Sequence, residues 1–321
     1  TRFPALAAER LPSGGLLGQA RVGMVMIAAT ADPECLQVRG NQAGGLHQAE
    51  SDPRRRGMGG GRSKDDGQPT TLGRNARVAM LTGCVQRGLL GRVNEATRRV
   101  FAANGYSMVE VPNQGCCGAI HAHTGDLAGA RELARANIRA FEVLELDFIA
   151  VNAAVCVAAL KDYSHLLEDD EDFAKRARTL AERVRDVSEL LSGEDLLQGG
   201  TLPLKVTYDA PCHLLHAQRI SQEPLDLLDS IPGLERIPLQ GDDECCGGAG
   251  IYGVTHPELG GSISREKVAA ILATGAQAVA TGNPGCMMQI GAGLKMVGAR
   301  IEVVHPIELL DESYRRGGVY S

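Results

Sequence analysis

The sequence predicts an α/β fold: two tandem, homologous cysteine-rich modules with small, mainly parallel sheets, preceded by a poorly ordered N-terminal arm. Three observations predict it. From Arg77 onward, short apolar runs alternate with helix-like stretches, which is the pattern of a parallel sheet covered by helices. That pattern begins a second time near Leu204. The cysteines repeat with it: Cys84 to Cys212 is an offset of 128 residues, Cys116 to Cys245 of 129 and Cys156 to Cys286 of 130. Such near-constant offsets mark a duplicated unit. The arm is assigned to residues 1–75, the first module to 76–200 and the second to 201–321.

The arm differs from the rest in composition. It carries Gly14-Gly15, Gly44-Gly45, the run Gly57-Met58-Gly59-Gly60-Gly61 and the basic cluster Arg54-Arg55-Arg56, and no apolar period persists in it. Residues 1–76 hold 10 basic and 7 acidic side chains, so the net charge of −6 leaves −9 on the remainder. A segment of this kind buries too little apolar surface to offset its chain entropy and is expected to be disordered. The arginine run reads as a solvated tail, and Cys35, alone in this region, as incidental. No secretory signal is read at Thr1.

The first module opens on Val78-Ala79-Met80-Leu81, a buried strand that ends at Thr82-Gly83-Cys84. A helix is expected over Asn94 to Ala103, a strand over Ser107 to Val111, and a loop over Pro112 to Gly118 that carries Cys116-Cys117. Asp126 through Glu145 has apolar residues at helical spacing: Leu127, Ala130, Leu133, Ala134, Ile138, Phe141 and Leu144. Asp147 to Asn152 is a strand with Cys156 in the loop beyond it. One charged helix is expected from about Glu171 to Leu191, closed by Gly193. In the second module, Leu204 to Tyr208 is a strand leading to Pro211-Cys212-His213, with a helix over Pro224 to Ser230. A strand follows over Leu234 to Leu239, and then a loop with Cys245-Cys246-Gly247-Gly248. The remaining expectations are a helix over Ile263 to Ala273, a strand over Ala276 to Thr281 whose exit loop holds Cys286, a strand over Ile301 to Val304, and a helix from Pro306 to about Tyr314.

Composition excludes several roles. A chain of 321 residues that is 44% hydrophobic can bury the cores of two domains. Aromatic residues make up 3%, with no Trp, which argues against nucleic-acid recognition by stacking. The negative net charge argues against a phosphate-binding surface. The longest apolar stretch, Val22 to Ala31, falls well short of the roughly twenty residues that a spanning helix needs. The nine cysteines are too sparse and too odd in number for a disulfide scaffold, which points to a cytosolic setting and to metal or redox chemistry.

Eight of the nine form two sets of four, Cys84, Cys116, Cys117 and Cys156, then Cys212, Cys245, Cys246 and Cys286. Each set follows the strands of one module, and parallel sheets gather ligands at the carboxyl ends of their strands. Four soft thiolates suit zinc or an iron–sulfur cluster, not magnesium or calcium. The C-x₂-C-x₂-C-x₃-C-P run of a ferredoxin is absent, and two adjacent cysteines with distant flanking partners make a different ligand geometry. Gly118, Gly247 and Gly248 would let the backbone approach a bulky inorganic core, and Pro211 and Pro284 stiffen the neighbouring loops. A vicinal dithiol acting directly in thiol–disulfide exchange is the alternative. His213 is a candidate ligand or hydrogen-bond donor, and Asp209 and Asn283 are weaker candidates to hydrogen-bond cluster sulfurs or orient loops; His121 and His123 read as polar loop residues. Gly247 to Gly250 lacks the Lys-Ser/Thr ending of a phosphate loop, and no Ser/His/Asp arrangement is recognisable.

These residues also resemble a known family. Gly83-Cys84-Val85-Gln86, Gln114-Gly115-Cys116-Cys117-Gly118 and Cys156 with Lys161-Asp162-Tyr163 carry the resemblance in the first half. Ala210-Pro211-Cys212-His213, Cys245-Cys246-Gly247-Gly248-Ala249-Gly250 and Gly282-Asn283-Pro284-Gly285-Cys286-Met287-Met288-Gln289-Ile290 carry it in the second. They are similar to the duplicated cysteine-rich (CCG) domains of the glycolate oxidase iron–sulfur subunit. More distantly they resemble the cysteine-rich subunit of heterodisulfide reductase and lactate-utilisation iron–sulfur proteins. The resemblance spans about residues 76 to 316. It implies a non-catalytic, cytoplasmic electron-transfer subunit of an oxidoreductase complex. Such a subunit works beside an FAD-containing 2-hydroxy-acid dehydrogenase, with an electron acceptor peripheral to the inner membrane face and no nucleic-acid partner. It further implies a cluster of the 4Fe-4S type, one per module, with the eight cysteines as metal ligands and Gly118, Gly247, Gly248 and His213 beside it. Zinc in one module is the alternative, as a structural or assembly element; a heterodisulfide-reductase-like thiol–disulfide protein is another.

Three departures from the family pattern stand out. The N-terminal ferredoxin domain is replaced by the Gly/Arg arm, so the chain is either a fragment or passes electrons by another route. The positions three after Cys156 and Cys286 are Ala159 and Gln289, which removes a fifth cysteine ligand. Cys156 lies between Val155 and Val157, whose β-branched side chains are expected to crowd a first-module cluster.

Overall fold

A computed structural model describes residues 75–192 and 196–320; the expected arm and the Gly193 cap lie outside these residues. In the first module, β1 (Arg77–Met80) leads into α1 (Cys84–Leu89) and α2 (Gly91–Ala103), and β2 (Ser107–Val109) into α3 (Ala119–His123) and α4 (Leu127–Glu142). The chain continues through β3 (Phe148–Val151), α5 (Ala154–Lys161), α6 (Tyr163–Leu166), α7 (Ala174–Ala181), β4 (Val184–Asp186) and α8 (Val187–Leu191). In the second, β5 (Leu204–Tyr208) is followed by α9 (Cys212–Gln218) and α10 (Glu223–Asp229), and β6 (Leu234–Ile237) by α11 (Tyr252–Thr255) and α12 (Pro257–Ala273). Then come β7 (Ala278–Ala280), α13 (Pro284–Met296), β8 (Glu302–Val304) and α14 (Pro306–Arg316).

Each module holds one four-stranded sheet, and every strand pair in both is parallel. The orders are β2-β1-β3-β4 and β6-β5-β7-β8, the same topology twice. Ala79 of β1 is paired with Val109 and Ile149, and Thr207 of β5 with Ile237 and Val279. Each sheet therefore has its switch point between the first and third strands of its module, where consecutive connections leave in opposite directions and open a crevice.

One hydrophobic cluster runs through both modules. Val78, Val100, Phe101 and Ala150 of the first share it with Val206, Leu228, Ile307, Leu310 and Tyr314 of the second. Its frame is reciprocal: α14 packs on α2 and α8 packs on α10, so the last helix of each module covers the first crossover helix of the other. Arg99 on α2 grips Asp311 on α14 through two hydrogen bonds of 2.9 and 2.7 Å. Separate clusters fill the far side of each sheet, around Ile138, Ile149 and Leu160 in the first and Ile271, Val279 and Ile290 in the second.

Local chemistry explains most boundaries. Asp126 caps α4 by accepting the Gly129 N–H at 2.9 Å, and the helix turns Ala130, Ala134, Ile138 and Phe141 inward at helical spacing. Two expectations need correction. Residues 171–191 are not one helix: α7 ends at Ala181, and β4 and α8 follow. A capping box breaks the helix there, since Asp186 accepts the Ser188 N–H at 2.9 Å and Glu189 accepts the Asp186 N–H at 2.7 Å. Cys156 and Cys286 do not lie in loops; each is the third residue of a helix, α5 and α13.

The box recurs after β8, where His305 takes the place of Asp186. His305 is 2% exposed; its Nδ1 accepts the Ile307 N–H at 3.1 Å, and Glu308 accepts the His305 N–H at 2.8 Å. Burial pushes the imidazole down to about 3. The unfolded chain takes up this proton near pH 6.5 and the folded chain does not, so stability is lost as pH falls below about 6.5. The loss between pH 7 and 5 should be about 1–2 kcal/mol. Asp186, pushed up to about 6 by burial, works with the opposite sign. Comparing His305→Asn, which keeps a capping acceptor, with the parent isolates the histidine: urea midpoints at pH 7 and 5 should differ less in the variant. Equal differences would show that His305 protonates without cost.

Candidate metal centre

The cysteines reach one edge of each sheet by the same four routes. Cys84 and Cys212 are the first residues of α1 and α9, directly after the first strand of each module. Cys116-Cys117 and Cys245-Cys246 lie in the loops after β2 and β6. Cys156 and Cys286 occupy the first turns of α5 and α13, after β3 and β7. All eight are free thiols. In the first module Cys84 and Cys116 lie 3.6 Å apart, and Cys117 and Cys156 3.2 Å, contacts well beyond a disulfide bond of about 2.05 Å. The Cys116 and Cys117 thiols also meet, which makes a row 84–116–117–156. The second module builds the same row, 212–245–246–286. Among the described residues no three His, Cys, Asp or Glu side chains are placed to hold a single metal ion; the sulfurs meet one after the next. In both rows one end is buried and the other is solvent-accessible: Cys117, Cys156, Cys246 and Cys286 against Cys84, Cys116, Cys212 and Cys245.

The electrostatics allow the bare row little charge. Cys245 is held well below the usual thiol range, first by its contact with Cys212 and then by Cys246 and the Gly247 N–H. Its neighbours pay for this: Cys212 and Cys246 are both driven up, chiefly by Cys245 itself. Cys84 is likewise raised by Cys116, and Cys116 by Cys117. A row of touching sulfurs can carry one negative charge unaided, whereas four thiolates need a positive centre among them.

N–H donors already point at the sulfurs. Gly118 N–H lies 3.5 Å from Cys116 Sγ and Gly247 N–H 3.3 Å from Cys245 Sγ, while Asn283 Nδ2 lies 3.4 Å from Cys286 Sγ. Gly118 and Gly247 adopt φ of 82° and 83°, a left-handed backbone that favours glycine. A Cβ on Gly248 would press on the Gly285 carbonyl at 3.3 Å and on Cys246 Sγ at 3.4 Å. The N-terminal turns holding Cys84, Cys156, Cys212 and Cys286 add positive helix ends. This donor set fits a thiolate-ligated metal group.

The sequence missed the residues that hold the cysteine loops. Asn137, buried on α4, accepts the Gly115 N–H at 2.8 Å and donates to the Cys116 carbonyl at 2.8 Å and to Tyr163 Oη at 3.0 Å; Tyr163 donates to the Cys117 carbonyl at 2.8 Å. Lys267, 130 residues on, holds the other loop: its Nζ donates to the Gly241 carbonyl at 2.6 Å and pairs with Asp209 Oδ1 at 2.8 Å. Asp209 thus meets Lys267 and Thr281, not sulfur, whereas Asn283 does meet it. A polar residue on the buried face of an amphipathic helix was the available signal for both Asn137 and Lys267.

The two rows are braced together. α9 packs on α5, the Ala154 N–H donates to the Gly282 carbonyl at 3.0 Å, and the Val155 N–H to Asn283 Oδ1 at 3.2 Å. Beside this contact is a cleft of about 540 Å³, lined by Cys117, His123, Val155, Tyr163, His213 and Gln218 among others. His213 Nδ1 is 3.5 Å from Cys212 Sγ, and its ring lies 5.6 Å from that of His123. His121 instead pairs with Asp126 at 2.8 Å, in the open. Cys156 is helical; Val157 is fully buried in the same core cluster as Cys117 and Cys156, and Val155 lines the cleft.

Comparison with known proteins agrees with the duplication. Residues 78–161 and 206–291 each match the CCG cysteine-rich domain. The "Probable glycolate oxidase iron-sulfur subunit" of Bacillus subtilis (strain 168) is 38% identical over 242 residues, which cover 74% of this chain and 54% of that protein. The "Glycolate oxidase iron-sulfur subunit" of Escherichia coli (strain K12) is 31% identical over 75% of this chain and 58% of its own length. This chain therefore spans little more than half of those two relatives. "Lactate utilization protein A" of Exiguobacterium sp. (strain ATCC BAA-1283 / AT1b) is 30% identical, over 74% of this chain and 98% of that protein. Among solved structures, a hypothetical protein from Helicobacter pylori matches 74% of this chain and 49% of its own, with a TM-score of 0.52 and 9% identity, a likeness of fold alone.

Proposed function

The chain belongs to the CCG cysteine-rich domain family, and from that premise we propose that it is the iron–sulfur electron-transfer subunit of a 2-hydroxy-acid oxidase complex. The observation that carries this reading is the pair of matched four-thiol rows, each at the carboxyl edge of a parallel sheet and each met by N–H donors. Cys84, Cys116, Cys117 and Cys156 would hold one cluster of the four-iron type, and Cys212, Cys245, Cys246 and Cys286 a second. Such a cluster accepts and passes electrons one at a time.

The chain's own groups do the rest. The Gly118 and Gly247 amides and the Asn283 side chain stabilise charge on sulfur, which sets the electron affinity of the site. Burial of one end of each row keeps water from that flank, and exposure of the other end leaves an approach for electrons. Oxidation of the hydroxy acid belongs, in this reading, to an FAD-containing partner subunit. The working location is cytoplasmic, with a downstream acceptor at the inner membrane face. Among the described residues no helix is long and apolar enough to cross a membrane.

The test is purification of the full chain without oxygen, followed by iron and acid-labile sulfide analysis and paramagnetic resonance of the reduced protein. Iron and sulfide in matching amounts, with a signal that appears on reduction, are expected. Stoichiometric zinc without sulfide would overturn the proposal in favour of a structural metal module. Metal-free protein whose thiols respond only to reductant would favour thiol–disulfide chemistry.

A further inference from the structure

The cysteine loop of the second module runs into an element that buries nothing. From Ala249 to Leu259 every residue but Gly253 is exposed, and no residue of α11 is buried. Ile251, Tyr252, Val254 and Leu259 are 39%, 46%, 47% and 51% exposed, four of the eleven large exposed hydrophobics among the described residues, within nine positions of the chain. Their side chains are not what holds the element in place. A Cβ on Gly253 would collide with the Gly248 and Gly247 carbonyls, and one on Gly260 would come within 3.0 Å of Gly247 O and 3.1 Å of Gly253 Cα. Backbone rests on backbone, and the side chains are turned outward. Tyr252 and His256 stack at 3.9 Å, which stiffens a flat aromatic face. On the first module Ile120 and Leu127 are also exposed, and a Cβ on Gly250 would come within 3.9 Å of His123 Nδ1.

The segment that carries this face holds charge of one sign, with the exposed Arg265 beyond its end, beside Gly261. Asp242, Asp243, Glu244 and Glu258 are all exposed, and no Lys or Arg stands between Asp242 and Glu258. An apolar centre with an acidic border fits a partner with an apolar centre and a basic border. A second copy of this chain fits poorly, because a two-fold contact would set these four carboxylates against the same four.

We propose that the face formed by α11 and its flanking turns docks the flavin-bearing partner subunit, through a contact patch on that subunit that is apolar at its centre and rich in Lys and Arg at its edge. This inference rests on the electron-transfer reading given above. It places the partner over the second module, immediately beside Cys245 and Cys246.

The test is binding of the purified FAD-containing 2-hydroxy-acid dehydrogenase subunit of the same organism to the full, metal-loaded chain, at low and at physiological ionic strength. Tyr252→Ser combined with Val254→Ser should weaken Kd by about tenfold or more, as expected for central apolar anchors. Asp242→Lys with Glu258→Lys should weaken binding and flatten its salt dependence. Met296→Ser with Val297→Ser, an exposed apolar pair on another part of the surface, should leave Kd unchanged. Binding by the Tyr252/Val254 variant equal to that of the parent overturns the proposal, as does a parent chain that fails to bind. Self-association of the parent that this variant abolishes, seen by sedimentation, would also overturn it and assign the face to a second copy. If iron and sulfide are intact in these failures, only the docking inference falls; if they are absent from the parent, the electron-transfer reading falls first.

Discussion

Cys245→Ser should strip the second module of its metal while the first keeps its own, so iron and acid-labile sulfide per chain fall to about half. Cys245 is the junction of its row: its thiol meets both Cys212 and Cys246, and it accepts the Gly247 N–H at 3.3 Å. A serine hydroxyl is a hard donor that stays protonated near neutral pH, so it replaces neither the charge nor the softness of the thiolate. Cys117→Ser should do the same to the first module, because Cys117 joins Cys116 to Cys156. The two single variants should show complementary losses in the resonance spectrum of the reduced chain, and the double variant should show no signal. Loss of all the iron from Cys245→Ser alone would mean that the rows form one centre. Unchanged iron would mean that Cys245 holds no metal.

Why the cysteine sets were legible while their supports were not comes down to how each is specified. Thiol chemistry admits few substitutes, so the cysteine offsets of 128, 129 and 130 stand in the chain as a visible repeat. Strand β5 was equally plain, because Leu204, Val206 and Tyr208 alternate with polar residues and the strand lies on the core. Strand β4 was hidden, since it is three residues long with Arg185 at its centre and is defined by its pairing to β3. The Asp186–Glu189 capping box beside it sits in a stretch of otherwise helical composition. Cys156 and Cys286 read as loop residues because each follows a strand closely, yet each strand passes almost directly into a helix. The supports at position 137 and 130 residues later are Asn and Lys, two side chains with one task, so a search for repeated residues passes over them.

Lys267→Met should cost about 3–5 kcal/mol, the usual result of leaving a buried charge without its partner. Both members of the pair are buried, Lys267 at 3% and Asp209 at 1% exposure. Burial already lifts the Asp209 carboxyl above its ordinary range, against the pull of Lys267. Without the ammonium, Asp209 keeps only the Thr281 hydroxyl, which donates to it at 3.0 Å, and takes up a proton to relieve its charge. Against a typical total stability of about 5–15 kcal/mol, a loss of this size should lower the urea midpoint sharply. The damage should also reach the metal site, because Lys267 Nζ ties α12 to the Gly241 carbonyl, four residues before Cys245, and its charge helps to hold the Cys245 thiolate. Lys267→Met combined with Asp209→Asn removes both charges and should recover much of the stability, but not the tie to Gly241. Unfolding midpoints and iron content measured on both variants therefore separate two roles. If the double variant regains its midpoint and still loads iron poorly, Lys267 positions the cysteine loop. If both recover together, the lysine serves only to neutralise Asp209. A single variant as stable as the parent would show that the buried pair contributes nothing, contrary to the geometry.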